Sequence, residues 1–284
     1  MQDHGVLAID VGSSRVKLGW FPPAGGCATT PAATALAIAA APLPTPEEVR
    51  RVEHQDRPPA EWLAEIERWL DELAPTGDAN CLIASVHAGA AGALDRCIHS
   101  RQWSRIVHLT ARNLPLTVRV AEPERVGVDR LLGALAANRL RRPETQAISV
   151  DMGTAITVDL INADGAFEGG AILAGPMLSL AALHAGTSSL PRLDASVLDP
   201  PPAAIGKSTS AAMAAGAYWG AIGAVREVVQ RLAESAPSPP EVFLTGGAAA
   251  AFAPHVGLDH HPARHVPHLV LAGIRLAADV ERLR

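Results

Sequence analysis

The sequence predicts an α/β fold made of two similar halves. Apolar strand patterns alternate with helical patterns along the chain, which is typical of α/β architecture. In addition, a strand–turn–strand unit occurs twice, with the turns Asp10-Val-Gly-Ser-Ser14 and Asp151-Met-Gly-Thr-Ala155. The two aspartates lie about 140 residues apart, close to half of the 284-residue chain. A supersecondary unit that recurs at this spacing indicates an internal duplication.

In the first half, short apolar or alternating runs predict strands, and apolar residues at helical spacing predict helices. Trp62, Ile66 and Trp69 follow such a helical spacing, with charged residues between them. The predicted strands are Val6–Ile9, Arg15–Phe21, Ala33–Ala41, Cys81–Val86, Ile106–Leu109 and Leu116–Val120, and the predicted helices are Pro58–Leu73 and Val128–Arg141.

In the second half, the same patterns predict four strands and two helices. The Gly206–Thr209 segment resembles the end of a Walker A loop, but it lacks the first glycine and the preceding strand. We therefore expect it to cap the helix that follows. The predicted strands are Ala147–Val150, Ile156–Ile161, Ala171–Leu173 and Val242–Thr245, and the helices are Thr209–Glu234 and His268–Arg284, with a Pro-rich linker at Ala236–Pro240.

The composition excludes several classes of protein. Hydrophobic residues make up 48% and charged residues 19% of the chain, which is too apolar for a disordered protein. Apolar runs fall short of the roughly 18 residues that a membrane helix needs. A net charge of -5 argues against general nucleic-acid binding, and three cysteines without paired spacing fit a reducing compartment. We expect a cytoplasmic protein that binds neither nucleic acid nor membrane.

The two Asp-x-Gly turns predict a site for phosphate groups. A glycine lets the backbone approach an anionic ligand, and successive N–H groups and hydroxyls form a concave donor site. A carboxylate beside phosphate needs a cation between them, which is how Mg²⁺ is usually held. Two such turns would grip a nucleoside triphosphate from both sides.

The Gly127-Val-Asp-Arg130 segment opens a predicted helix and offers the groups that a phosphoryl transfer requires. Backbone N–H groups at a helix start hold anions. Asp129 is a candidate general base for a hydroxyl nucleophile, and the planar Arg130 guanidinium suits a carboxylate or phosphate.

In this order, the motifs resemble those of the type III pantothenate kinases, a family also described as Bvg accessory factor-like. The resemblance runs from Leu7 to about Gly273 and covers both halves. Seven segments carry it, namely residues 10–14, 123–130, 151–157, 169–176, 187–191, 205–209 and 245–247. Two positions depart from the family pattern, because Ser13 stands where asparagine is usual and Val120 where tyrosine is common.

The resemblance implies two RNase H-like domains of the actin, Hsp70 and sugar-kinase superfamily around a nucleotide cleft. The domains would cover residues 1–122 and 123–284, with the second forming a homodimer. The reaction would be phosphorylation of the 4′-hydroxyl of pantothenate by ATP, the first step of coenzyme A synthesis. Asp129 would be the catalytic proton acceptor.

The same resemblance assigns the remaining site residues. Asp10 would lie near Mg²⁺, and Asp151 would hold a monovalent cation, K⁺ or NH4⁺. ATP would contact Asp10, Val11, Gly12, Ser13, Ser14, Arg15, Val16, Lys17 and Thr154, and pantothenate would contact Gly127, Val128, Asp129, Arg130 and Thr187.

Two other readings of the sequence remain open at this stage. Another phosphotransferase of the superfamily would share both turns but would lack the Gly127–Arg130 and Thr187–Pro191 segments. A non-catalytic regulatory relative would keep the fold and would be expected to have lost Asp129 or Asp151, and the chain contains both.

Overall fold

A computed structural model describes residues 4–23, 42–75, 79–236, 238–256 and 262–279. The chain divides into two compact units. Unit 1 contains residues 1–117, 121–140 and 268–284, and unit 2 contains residues 118–120 and 141–267.

Unit 1 is built on a five-stranded sheet with the order β3-β2-β1-β4-β5. Strands β1, β2 and β3 pair antiparallel, whereas β4 and β5 continue the sheet parallel to β1. In chain order the elements are β1 (Val6–Val11), β2 (Arg15–Phe21), β3 (Glu48–Glu53), α1 (Pro59–Leu73), β4 (Asn80–Ser85), α2 (Ala88–His99), β5 (Arg105–His108) and α3 (Val128–Leu140).

Unit 2 repeats this plan. Its sheet has the order β10-β9-β6-β7-β8, which is the order of unit 1 read from the other side. Its elements are β6 (Ala147–Met152), β7 (Ala155–Ile161), β8 (Phe167–Ala174), α4 (Pro176–Gly186), α5 (Thr209–Glu234), β9 (Glu241–Thr245), α6 (Ala249–Val256) and β10 (Ala263–His265). The helix that follows in sequence, α7 (Leu269–Ala278), belongs to unit 1. The predicted α/β fold of two similar halves is confirmed.

Each sheet packs an apolar face against amphipathic helices. In unit 1, Ile9 of β1 lies in one cluster with Trp62 and Ile66 of α1. In unit 2, Val150 of β6 shares a cluster with Tyr218 of α5. Fully burying an apolar side chain of this size stabilises the fold by about 1.5–3 kcal/mol, so these faces fix the strand ends that carry the polar turns.

The thiols of Cys81 and Cys97 lie in the core of unit 1. Burial raises the pKa of Cys81 far above its usual range, and it raises the pKa of Cys97 to about 11. Both side chains therefore pack as small neutral groups at physiological pH. Cys27 lies outside the described residues.

The predicted domain boundary between residues 122 and 123 does not coincide with the division of the structure. Helices α3 and α7 both belong to unit 1, where they pack against each other. The contact is close because Gly273 of α7 lies against α3: a Cβ at this position would be 2.2 Å from the Leu132 carbonyl oxygen. Unit 1 is therefore discontinuous in sequence, and it contains Asp129.

Several elements differ from the sequence prediction. The predicted strand Leu116–Val120 is wrong, because Val118 makes an isolated bridge to Phe167 instead. Strands β3 and β10 and helices α2, α4 and α6 were not predicted, and the predicted strand Ala33–Ala41 lies outside the described residues. Ser208 caps α5 by accepting a hydrogen bond from the Ala211 N–H, which confirms the predicted cap.

Among the described residues, no helix combines the length and the apolar character needed to span a membrane.

Candidate active site

The first polar turn is a tight connection between β1 and β2. Val11 pairs with Val16 at the strand ends, and the Gly12 N–H donates to the Arg15 carbonyl at 2.9 Å. Ser13 is exposed and Ser14 is half-buried. Val11 and Val16 are both fully buried in the core. The predicted phosphate-binding segment is therefore a hairpin turn supported from below by the core.

Asp10 and Lys17 face each other across this hairpin. They are cross-strand partners, and Lys17 Nζ lies 3.0 Å from Asp10 Oδ2. The Asp10 side chain is only 4% exposed, whereas Lys17 is 28% exposed and reaches solvent. Because a buried carboxylate is stable as an ion only when it is paired, Lys17 supplies the positive charge that Asp10 requires.

His54 holds the underside of the same turn. Its Nε2 lies 2.9 Å from the Gly12 carbonyl oxygen, and its backbone N–H donates to the Ser14 carbonyl at 3.1 Å. The ring is buried and packs against His87 and Trp62. The sequence gives no local signal for His54, because it lies 42 residues after Gly12, directly beyond the polar edge strand β3.

The Gly127–Arg130 segment forms the start of α3, as predicted. Asp129 lies half-buried in the first turn of the helix, and its Oδ1 accepts a hydrogen bond from the Arg130 N–H at 2.8 Å. A Cβ on Gly127 would be 2.6 Å from that same oxygen. Glycine at position 127 is therefore what allows the Asp129 carboxylate to fold back over the helix start.

Unit 1 brings this segment to the same sheet edge as the first turn. Val86 follows β4, and its N–H donates to the Val11 carbonyl at the end of β1 at 3.0 Å. The side chain of Val86 also lies beside Gly127, 3.7 Å from where a Cβ would stand. Ligands of open α/β sheets bind at the carboxyl ends of parallel strands, and β1 and β4 both end here.

The second turn, in unit 2, has the same construction with a different charge pattern. The Gly153 N–H donates to the Ala155 carbonyl at 3.0 Å, so this turn is one residue shorter than the first. As a result, Asp151 lies opposite Thr157, whereas Asp10 lies opposite a lysine. The two halves therefore share the same hairpin fold at this point. They differ because unit 1 places a cationic side chain opposite its turn aspartate and unit 2 places a neutral one there.

Glycines allow two neighbouring segments to close over the second turn. Gly246, at φ +103°, follows β9, and a Cβ there would lie 2.4 Å from Asp151 Oδ1 and 2.6 Å from the Met152 amide nitrogen. A Cβ on Gly175 would be 2.5 Å from the Thr154 carbonyl oxygen. A side chain at either position would collide with the backbone of the turn or with Asp151. The shape of the second turn therefore depends on having glycine at both positions.

The remaining predicted site residues also lie in unit 2. Thr154 is exposed on the second turn. Thr187 ends α4 and is exposed, and its hydroxyl donates to the Leu183 carbonyl at 2.7 Å. Val120 lies against Gly169, with its Cγ1 3.4 Å from where a Cβ would stand. The structure thus places Asp10 and Asp129 in unit 1, and Asp151, Thr154 and Thr187 in unit 2.

The donor groups of the first turn fit a phosphate ligand. Two serine hydroxyls, the Lys17 ammonium and backbone N–H groups converge on one hairpin, and Asp10 adds a carboxylate suited to Mg²⁺. Within the described part of the chain, no three or more His, Cys, Asp or Glu side chains cluster closely enough to enclose a metal ion. A divalent cation here would take most of its ligands from phosphate and water.

Comparison with known proteins decides the family. The family model described as type III pantothenate kinase matches residues 6–231. The chain belongs to the type III pantothenate kinase family. The type III pantothenate kinase of Gluconobacter oxydans is 39% identical over 182 residues, covering 63% of this chain and 64% of the relative. That of Cereibacter sphaeroides is 42% identical over 139 residues, covering 49% and 52%. Each match thus spans less than two thirds of the relative's length.

Solved structures agree on the fold of this family member. A conserved putative Baf family transcriptional activator from Campylobacter jejuni aligns with a TM-score of 0.55 at 15% identity, covering 95% of this chain and 96% of the other. The ethanolamine utilization protein EutJ from Carboxydothermus hydrogenoformans aligns with a TM-score of 0.50 at 12% identity, covering 98% and 90%. Together with the repeated sheet order, they confirm the predicted α/β fold of two similar halves.

Proposed function

We propose that the protein phosphorylates the 4′-hydroxyl of pantothenate with ATP, the first step of coenzyme A biosynthesis. The observation that carries the proposal is the position of Asp129. Its carboxylate lies at the start of α3, on the sheet edge where the Asp10–Lys17 hairpin presents its phosphate donors. A proton acceptor beside a phosphate-binding turn is the minimum that a phosphoryl transfer to an alcohol requires.

In this mechanism Asp129 accepts the proton of the pantothenate hydroxyl as the hydroxyl oxygen attacks the γ-phosphorus. The bond between the γ-phosphorus and the β,γ-bridging oxygen breaks, and ADP leaves with the electron pair of that bond. The hydrogen bond from the Arg130 N–H to Asp129 Oδ1 holds the carboxylate at the start of α3. A positioned general base contributes about 10²–10⁴-fold to the rate. Gly127, Val128 and Arg130 bind pantothenate beside it, Val128 through its backbone because its side chain is buried.

The phosphate groups of ATP are held by the segment from Asp10 to Lys17 and by Thr154. The Asp10 carboxylate would lie near Mg²⁺ and hold it indirectly, and the ion would supply positive charge to the phosphates. Asp151, which faces Thr157 across the hairpin, is the carboxylate suited to a monovalent cation such as K⁺ or NH4⁺. Thr187 contributes its hydroxyl oxygen to pantothenate binding.

A coupled ATP-turnover assay with and without pantothenate, in K⁺ and in Na⁺, tests this proposal. We expect ADP release that depends on pantothenate and is faster in K⁺, with phosphopantothenate detected by mass spectrometry. Turnover without pantothenate would favour a different phosphotransferase of the superfamily. A folded protein that binds ATP without turnover would favour a non-catalytic relative.

We also propose that the protein acts in the cytoplasm as a homodimer that pairs through unit 2. The chemistry of α4 and β8 supports a second copy as the occupant of this surface. Leu178 and Leu183 on α4 and Ile172 on β8 are 44%, 40% and 61% exposed. Exposed side chains of this size are costly to leave in water, and a contiguous apolar patch marks an interaction site.

Sedimentation equilibrium tests the dimer. The double variant Leu178→Glu/Leu183→Glu is expected to be monomeric with unchanged far-UV circular dichroism, because it places charges on the pairing surface. Ala60→Glu, on the exposed side of α1 in unit 1, is the matched control and is expected to remain dimeric. A double variant with the mass of the wild type would place the interface elsewhere.

A further inference from the structure

We propose that His54 is a positioning residue for ATP, because it holds the carbonyl groups of the first phosphate turn away from the nucleotide. The proposal rests on the assignment of this turn to ATP phosphates. Neither the sequence motifs nor the family resemblance assigns a role to His54, which lies outside all seven motif segments.

The contacts of His54 show how the turn is held. A carbonyl oxygen accepts hydrogen bonds and cannot donate them, so the hydrogen in the 2.9 Å contact between His54 Nε2 and the Gly12 oxygen resides on Nε2. The backbone N–H groups of His54 and Gln55 donate to the Ser14 oxygen at 3.1 and 3.3 Å. The Arg15 oxygen accepts from the Gly12 N–H at 2.9 Å. Three carbonyl groups of the hairpin thus have hydrogen-bond partners within the protein.

This arrangement matters because phosphate and carbonyl oxygens repel each other. A turn binds phosphate when its N–H groups point outward, and it can do so only if its carbonyl groups have partners elsewhere. The partner of the Gly12 carbonyl is a side chain, so a substitution can remove it without altering the backbone. Loss of the His54 hydrogen bond would free the Gly12 carbonyl to rotate toward the bound phosphates.

The ring of His54 is itself fixed by packing. It is buried, with its ring centroid 4.9 Å from that of His87 and 5.9 Å from that of Trp62. His87 is held in turn, because its Nδ1 accepts from the Ala90 N–H at 3.0 Å and caps α2. The donor nitrogen of His54 therefore meets the turn with little rotational freedom.

Two variants separate the hydrogen bond from the packing. His54→Phe keeps an aromatic ring against Trp62 and His87 but has no donor. His54→Gln loses the ring but places an amide N–H donor at a similar reach from the backbone. His99→Phe is the matched control, since His99 is exposed at the other end of α2, about 18 Å along the helix from its start.

Steady-state kinetics and ATP–Mg²⁺ titration calorimetry on the full-length protein provide the test. We expect His54→Phe to raise the KM and the Kd for ATP about tenfold, with kcat and the KM for pantothenate within twofold of wild type. We expect His54→Gln to restore the ATP values to within about threefold, and His99→Phe to match wild type.

Wild-type ATP affinity in His54→Phe would overturn the proposal. So would a folded His54→Gln that binds ATP about tenfold more weakly, since that result assigns the role to ring packing. His54→Gln decides the matter even if His54→Phe does not fold. The calorimetric comparison needs no pantothenate, so a wild-type protein that fails to phosphorylate pantothenate contradicts the proposed function and leaves the inference about His54 open to its own test.

Discussion

At the level of single residues, the two halves differ in the cross-strand partner of the turn aspartate. Lys17 pairs with Asp10 at 3.0 Å, and the corresponding cross-strand position in unit 2 is Thr157. A covalently attached ammonium is always present, whereas a threonine leaves a carboxylate to be balanced by a bound ion or a neighbouring group. The equivalent positions of the duplicated unit therefore have different ion requirements.

The pairing of Asp10 predicts a clear stability effect. Lys17→Met is expected to lower the free energy of unfolding by about 2 kcal/mol, less than the about 3–5 kcal/mol of a fully buried pair, because Lys17 reaches solvent. Urea denaturation followed by circular dichroism measures this value. In the Asp10→Asn/Lys17→Met protein most of the loss should be recovered, since no buried charge remains; equal instability of both variants would contradict the ion-pair explanation.

Asp129 predicts a separation of catalysis from binding. Asp129→Asn keeps the size of the side chain but cannot accept the proton, so we expect kcat to fall about 10²–10⁴-fold with an unchanged Kd for ATP. Stopped assays and calorimetry measure the two quantities. Glu124→Gln, an exposed acid in the 3-10 turn before α3, is the control and should turn over normally. Wild-type turnover in Asp129→Asn would remove Asp129 from the mechanism.

At the level of secondary-structure elements, the shape of the second turn depends on the segment that directly follows β9. Gly246 adopts a φ that favours glycine and lies against Asp151 and Met152. The Ala248 N–H then donates to the Met152 carbonyl at 3.1 Å, which ties the start of α6 to the end of β6. The shape of this turn is therefore set by a segment about 90 residues further along the chain.

Gly246→Ala is expected to lower the free energy of unfolding by about 2–4 kcal/mol, through both the positive φ and the overlap with Asp151. Gly223→Ala is the matched control on α5, where a Cβ meets no atom within 4 Å. Because alanine is the better helix former, this control should be neutral or more stable by up to about 1 kcal/mol. Chemical denaturation of the two variants gives both values, and a neutral Gly246→Ala would show that the turn can move.

Elements with a marked apolar period could be predicted from the sequence, and others could not. The spacing of Trp62, Ile66 and Trp69 predicts α1, and the apolar run before Asp151 predicts β6. Strand β3 (EVRRVE) is polar because it is an edge strand, and α2 begins with small residues that carry little periodic signal. Both elements form because tertiary contacts compensate for weak local preference.

The candidate site was predictable where its residues are local in sequence. The two hairpin turns and the start of α3 are short segments whose residue types indicate their geometry. The contact between His54 and Gly12 joins residues 42 positions apart, and the contact between Gly246 and Asp151 depends on the pairing of β6 with β9. Such contacts are set by the sheet topology, so the residue pattern of either short segment does not predict them.

At the level of the whole molecule, unit 1 is completed by the C-terminal helix. Gly273 on α7 meets Leu132 on α3, and Leu271 of the same helix lies beside Gly19 of β2. Most of the α7 side chains between Leu269 and Ala277 are buried. The helix that ends the described chain therefore shields the sheet that begins it.

Gly273→Ala tests this organisation, because a Cβ at 2.2 Å from the Leu132 oxygen must push α7 away from α3. We expect hydrogen exchange, measured by mass spectrometry, to accelerate in β1, α3 and α7 while β9 and α5 keep their wild-type protection. Gly216→Ala, on α5 with no atom within 4 Å of its Cβ, is the control. Loss of protection confined to unit 2 would contradict the assignment of α7 to unit 1.

The discontinuity of unit 1 also has a consequence during protein synthesis. The 128 residues that separate the end of α3 from the start of α7 must be translated before unit 1 can close. At about 5–20 residues per second, this takes roughly 6–26 s. Throughout that interval the apolar surface that α7 will cover remains exposed on the nascent chain. The unit that is synthesised first is therefore the unit that completes its fold last.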